Sequence, residues 1–188
     1  MSWRRSRKGA EQMSESTRKH KSTAPQKLKF GIFICSTSRY KQQKNNESTS
    51  DISGNLIESL LAKMCHVAVF RKIISDDKTM IEESLKEALA LSELDAIIFC
   101  GGTGITRTDV TIEAVTPFME KTLPGFGEIF RRLSFDQTGS AAILSRTSAG
   151  ISKGKAIFCI PGSPDAVRLC LEKLIFPEAG HVVRHARE

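Results

Sequence analysis

The stretch IIFCGGTGITRTDVTIEA, residues 97–114, runs four apolar residues straight into Gly101-Gly102-Thr103-Gly104, then into Arg107, Asp109 and several hydroxyl side chains. A short continuous apolar run of this kind reads as a strand buried on both faces. It delivers a glycine loop at its carboxyl end, where backbone N–H groups can approach phosphate oxygens without Cβ interference. A helix beginning near Thr111 adds positive partial charge beside it. The loop is not a Walker A sequence, because no Gly-Lys-Ser/Thr follows. Nor is it a dinucleotide fingerprint, since Gly102-Thr103-Gly104 is followed by Arg107 where a third glycine would stand. A tight turn with no ligand is the structural alternative.

Working outward, LKFGIFICST from Leu28 is a second buried run ending in hydroxyl residues, and VAVFRKII is a third. Between them SRYKQQKNNESTS reads as a loop. DISGNLIESLLAKM places Ile52, Leu56, Ile57, Leu60, Leu61 and Met64 on one helical face, with Asp51 or Ser53 as the cap. SDDKTMIEESLKEALALS is a second amphipathic helix, with Ile81, Leu85, Ala88 and Leu89 inward. Strands alternating with helices at this spacing predict an α/β fold, a parallel sheet covered on both faces, with ligands bound beyond the carboxyl ends of its strands. The loop after Cys35, Ser75-Asp76-Asp77 and the glycine loop all fall at those ends. Farther on, TIEAVTPFMEK predicts a short helix stopped near Pro117, and PGFGEIFRRLSF another starting after Gly125. AILSRTSAGI and KAIFCI flank Ser152-Lys153-Gly154 as a hairpin, which makes one strand antiparallel. Pro161-Gly162-Ser163-Pro164 is a second rigid, small-residue loop, before a closing helix with Val167, Cys170, Leu171, Leu174 and Ile175 inward.

The formal charge of +7 is concentrated at one end. Residues 1–27 carry eight Lys/Arg against Glu11 and Glu15, whereas residues 28–188 are almost neutral. The 1–27 segment has almost no apolar residues and no periodicity, so it reads as a disordered basic tail preceding one domain, 28–188. There is no apolar run of transmembrane or signal-peptide kind, and the chain reads as a soluble cytoplasmic protein. Five scattered cysteines without a CxxC pair read as buried reduced thiols. His181 and His185 have metal-pair spacing but read as surface histidines near a terminus. One Trp and one Tyr make an aromatic platform for nucleic acid a poor fit, and no GxSxG, HExxH or Cys–His pairing at a recognised spacing is present.

Asp76 and Asp109 have the chemistry to hold Mg2+, which takes one or two carboxylates plus phosphate oxygens and water. Arg107 and Arg146 can bring charge to phosphate. The structural alternatives are helix caps: Asp109 before Thr111, and Asp76 before Met80.

The motifs DISG (51–54), ISDD (74–77), GGTGITRTDVTIEA (101–114), PGFGEIFRRLSF (124–135), GSAAILSRTSAG (139–150) and IFCIPGSP (157–164) resemble those of the MoaB/MogA family of molybdenum cofactor biosynthesis proteins. The resemblance covers Leu28 to about His185 and is closer to the MoaB branch; the basic tail lies outside it. It implies a three-layer α/β/α sandwich, mostly parallel with one antiparallel strand, assembling as a homotrimer or homohexamer. The implied activity is adenylylation of molybdopterin from ATP with Mg2+, releasing pyrophosphate ahead of a downstream molybdenum insertase. The resemblance puts the catalytic and metal-holding aspartates on Asp76 and Asp109. It puts the nucleotide and phosphate loops on Gly101, Gly102, Thr103 and Gly104 and on Pro161, Gly162 and Ser163. It puts molybdopterin contacts on Ser36, Asp51, Ser53, Ser145 and Arg146. A non-catalytic molybdopterin carrier of the same pathway is the alternative within the resemblance, and a nucleic-acid binder acting through the tail is the alternative outside it.

Overall fold

A computed structural model describes residues 25–188. The expected disorder of 1–27 therefore lies, apart from its last three residues, outside the described residues. Six strands form one sheet in the order β2-β1-β3-β6-β5-β4. They are β1 (Lys29–Cys35), β2 (Val67–Ile74), β3 (Ala96–Cys100), β4 (Lys121–Thr122), β5 (Ser148–Ser152) and β6 (Lys155–Ile160). The first four in spatial order run parallel, and β5 runs antiparallel to both of its neighbours. The hairpin between β5 and β6 turns on Lys153 and Gly154, whose φ angles of 48° and 71° suit a two-residue turn with both central residues left-handed.

Burial on both faces explains the unbroken apolar runs. Successive residues of the central strands enter opposite cores. Phe30, Ile32, Ile98, Phe158 and Ile160 face α2 (Ile52–Lys63), α5 (Pro124–Thr138) and the closing helical segment. Phe33, Cys35, Ile97, Phe99 and Cys159 face α3 (Lys78–Ala90) and α4 (Thr111–Val115). Phe33 stacks on Phe99 with ring centroids 4.8 Å apart. The closing segment begins as α6 (Pro164–Cys170), passes through one π-turn at Leu171–Ile175 and continues as α7 (Phe176–Ala186). Among the described residues no helix is long and apolar enough to cross a membrane.

Four expectations need correction. The polar stretch after Cys35 is not all loop, since Thr37–Lys44 forms a helix, α1, without burying a single residue. Its N-terminal anchor comes from elsewhere in the chain: the Thr37 N–H donates to Asp76 Oδ2 at 2.8 Å. On α2 the apolar residues at the two ends do not pack inward. Ile52, its first residue, is 61% exposed, and Met64, its C-cap, is 49% exposed. The strand expected from Ala142 begins only at Ser148, and Gly139–Leu144 coils instead as a 3-10 segment. Arg146, two residues before the strand, bonds to the glycine-loop carbonyls of Thr103 and Gly104. Finally, Lys121–Thr122 adds a two-residue edge strand that periodicity cannot register.

Candidate active site

The glycine loop leaves β3 at Cys100, and its first two residues need conformations open to glycine. Gly101 has φ +106° and Gly102 φ +61°. A Cβ on Gly101 would stand 2.4 Å from the Cys35 carbonyl oxygen. This close approach lets the loop fold back over the end of β1. Thr111 then locks it, its hydroxyl donating to the Gly101 carbonyl at 2.9 Å and its N–H to the Gly102 carbonyl at 3.0 Å.

The two aspartates flank this segment. Asp76 Oδ1 lies 2.8 Å from where a Gly102 Cβ would be, and Asp109 Oδ2 lies 2.7 Å from where a Gly104 Cβ would be. Hydrogen bonds converge on the Oδ2 atom of each. Asp76 Oδ2 accepts from the Thr37 N–H at 2.8 Å and the Thr37 hydroxyl at 2.9 Å. Asp109 Oδ2 accepts from the Thr106 hydroxyl at 2.6 Å and the Thr106 N–H at 2.8 Å. The Thr106 hydroxyl, more than any other neighbour, holds the Asp109 carboxyl below its ordinary value, and it is ionised at neutral pH. Neither aspartate caps the helix proposed for it from sequence. Asp77 caps α3 by accepting from the Met80 N–H, and Val110 occupies the N-cap of α4 without a side-chain bond. With only five residues, α4 brings little dipole to the loop, contrary to expectation.

The PGSP loop closes the third side. A Cβ on Gly162 would lie 3.3 Å from the Gly101 Cα, so the two small-residue loops are in contact. Ser53, buried at the start of α2, donates to the Gly162 carbonyl at 2.7 Å. Ser163 caps α6, accepting from the Ala166 N–H. Asp51 is a buried cap, its Oδ1 accepting from the Gly54 N–H at 2.9 Å, with Arg71 3.6 Å from its other oxygen. Ser36 meets Ser38 across 3.3 Å at the start of α1. Ser145 ends the 3-10 segment beside Arg146.

Arg146 differs most from the expectation. Its Nε donates to the carbonyls of Thr103 and Gly104 at 3.1 and 2.8 Å, and a terminal nitrogen donates to the Asp109 carbonyl at 3.3 Å. Its fork also grips Glu113, whose carboxyl it pulls below the ordinary value. Arg146 is therefore a brace fixing the glycine loop and Asp109 together, while Arg107 stands exposed. Sequence reasoning missed Thr37, Thr106 and Glu113. The pairing of Thr106 with Asp109, three residues apart in a glycine-flanked loop, was a local signal that could have been read. Beneath the loop, burial pushes the Cys35 thiol up to about 12, and burial likewise raises Cys100, Cys159 and Cys170. None of these four is a nucleophile at neutral pH.

The carboxylates offer hard oxygen donors beside backbone-lined loops, the chemistry that suits Mg2+ shared with phosphate oxygens. Among the described residues no group of three or more His, Cys, Asp or Glu could hold a metal unaided. A cation here would be completed by a phosphate ligand.

A family model described as a probable molybdopterin binding domain matches residues 31–181. The chain belongs to this family. It is 41% identical over 174 residues to "Molybdenum cofactor biosynthesis protein B" of Bacillus subtilis, covering 92% of this chain and 98% of that protein. It is 40% identical over 173 residues to "Molybdopterin adenylyltransferase" of Pyrococcus furiosus, covering 90% and 97%. The crystal structure of the tungsten cofactor synthesizing protein MoaB from Pyrococcus furiosus superposes with a TM-score of 0.76 at 40% identity, covering 88% of this chain and 100% of that one. The fold expected from the MoaB/MogA resemblance, a mostly parallel sheet with one antiparallel strand between helical layers, is the fold observed.

Proposed function

We propose that the chain is a molybdopterin adenylyltransferase, moving AMP from ATP to the terminal phosphate of molybdopterin and releasing pyrophosphate. The observation that carries this reading is the placement of two carboxylates, Asp76 and Asp109, on either side of one glycine loop. The names of the relatives support it. In the reaction a phosphate oxygen of molybdopterin forms a bond to the α-phosphorus of ATP. The bond from that phosphorus to the bridging oxygen breaks, and pyrophosphate leaves with the electron pair. The nucleophile needs no general base, because a phosphate monoester with a second pKa of about 6 is mostly ionised at neutral pH.

Positioning and charge therefore carry the catalysis. Bound Mg2+, with Asp76 and Asp109 as its protein ligands, would neutralise the triphosphate. The N–H groups of residues 102–104 and 162–163 cradle phosphate oxygens, with Gly101 and Pro161 shaping the two loops, and Arg146 acts as a positioning residue through its three carbonyl bonds. Ser36, Ser53 and Ser145 would serve the pterin, Ser53 through its bond to the Gly162 carbonyl, while Asp51 caps α2. Transfer of label from α-labelled ATP to molybdopterin tests the reading. Adenylylated pterin and one equivalent of pyrophosphate are expected. Pterin binding without pyrophosphate release would reduce the protein to a carrier.

The same reading includes self-association. Ile129, Phe135, Ile143 and Leu144 project from α5 and the following 3-10 segment, each more than half exposed and Ile143 78% exposed. Large apolar side chains clustered on one segment mark an interaction surface, and a second copy of this chain is the partner proposed.

A further inference from the structure

Parallel strands also align their amino ends, and that opposite edge of the sheet carries a cleft of about 670 Å3. Five cationic residues line it: Lys27, Lys29, Lys153, Lys155 and Arg187. β6 alone separates it from the PGSP loop, and six residues of strand span about 20 Å. The cleft is therefore distinct from the rim that holds Asp76 and Asp109.

Two acids, Glu93 and Asp95, also line it. Asp95 is already used on both oxygens. One pairs with Arg187 at 2.6 Å, and the other accepts from the Lys29 N–H at 2.7 Å. Lys155 is the unusual member. It is only 6% exposed, and among the described residues its ammonium has no hydrogen-bond or ion-pair partner. Its aliphatic stem is buried, but the ammonium keeps contact with solvent and opens to the cleft, where an anion can supply the acceptor it lacks. Burial, and then the nearby Arg187 charge, lower its pKa, so the surroundings already disfavour the cation that an anion would favour. No aromatic or aliphatic side chain lines the cleft among the described residues, so it has nothing with which to hold a base or a sugar face.

We propose that this cleft is a second anion site, taking a small inorganic polyphosphate through Lys155 at its floor and the exposed lysines around it. Five cations against two acids leave an excess of three charges. That excess matches a compact multivalent phosphate better than a single carboxylate. The assignment is independent of the reaction proposed for the rim.

The test is calorimetric titration of the full chain with inorganic tripolyphosphate in magnesium-free buffer. Saturable binding is expected, weakened at least tenfold by Lys155→Met and also by the paired exposed changes Lys27→Glu and Lys29→Glu. Asp109→Asn should leave it within twofold, and Lys155→Met should leave adenylyl transfer unchanged. The paired surface variant guards against misfolding of Lys155→Met, since melting temperature should not move with it. ATP should bind the cleft no tighter than tripolyphosphate. Affinity within twofold of the parent in both lysine variants would overturn the proposal. So would ATP binding ten times tighter through Lys155, or Lys155-dependent capture of a single-stranded oligonucleotide without tripolyphosphate binding.

Discussion

At the scale of single residues, the site is held mainly by side chains bonded to backbone groups and hydroxyls, with the Arg146–Glu113 ion pair added to them. Arg146 shows what this demands: three carbonyls and the Glu113 fork require a planar guanidinium. Arg146→Lys keeps the charge but loses that geometry. Turnover should fall at least tenfold, about 1.4 kcal/mol of transition-state stabilisation, with little change in the KM for ATP, measured by steady-state kinetics. Asp109 sets a second expectation. The Thr106 hydroxyl bond depresses its carboxyl below the ordinary value, so the ionised form persists as pH falls and titrates only in more acidic solution. The acid limb of kcat/KM should therefore lie at about pH 6, where the attacking phosphate monoester gains its second proton. A pH–rate profile with its limb near 4 would assign the titration to an enzyme carboxylate instead.

At the scale of elements, α1 is the instructive case. Its sequence, TSRYKQQK, has no apolar face and reads as loop. It is helical because Asp76, thirty-nine residues on, accepts from the N–H and hydroxyl of Thr37, and because Lys41 and Lys44 suit its carboxyl end. A cap supplied from the end of the neighbouring strand leaves no mark in the local pattern. Asp76 thus has a structural role beside the proposed chemical one, and the two can be separated. Asp76→Ala should lose about 1 kcal/mol of stability in urea denaturation, whereas Asp76→Asn, which keeps an acceptor oxygen, should lose less than half of that. The central strands and α3 were legible from sequence because burial on both faces, or on one stripe, writes itself directly into hydrophobic periodicity. The late start of β5 was not. Arg146 reads as a free cation until its contacts with residues 103 and 104 are seen.

At the scale of the molecule, the sheet separates two chemistries by direction: carboxylates and glycine loops at one edge, lysines at the other. The edge location of the site was legible before any family resemblance, because parallel strands bring their carboxyl ends together whatever their sequence. The opposite cleft was not legible, since Lys27 and Lys29, Lys153 and Lys155, and Arg187 come from three separate parts of the chain and join only through the strand order. The exposed apolar surface of α5 belongs to this scale too. Light scattering should give a multiple of the 20.8 kDa chain mass, a trimer or a hexamer, and Ile143→Asp should shift it toward the monomer. A monomeric parent at micromolar concentration would count against self-association there.

The account stands on two carboxylates sharing one bound triphosphate, and single-turnover adenylyl transfer with Asp109→Asn at saturating Mg2+ tests it most directly. The substitution keeps the size of the side chain and leaves an acceptor for Thr106, so the loop should stay folded. The account predicts a rate reduced at least a hundredfold, roughly 2.7 kcal/mol, with the melting temperature within a few degrees of the parent. Full turnover by that variant would contradict it.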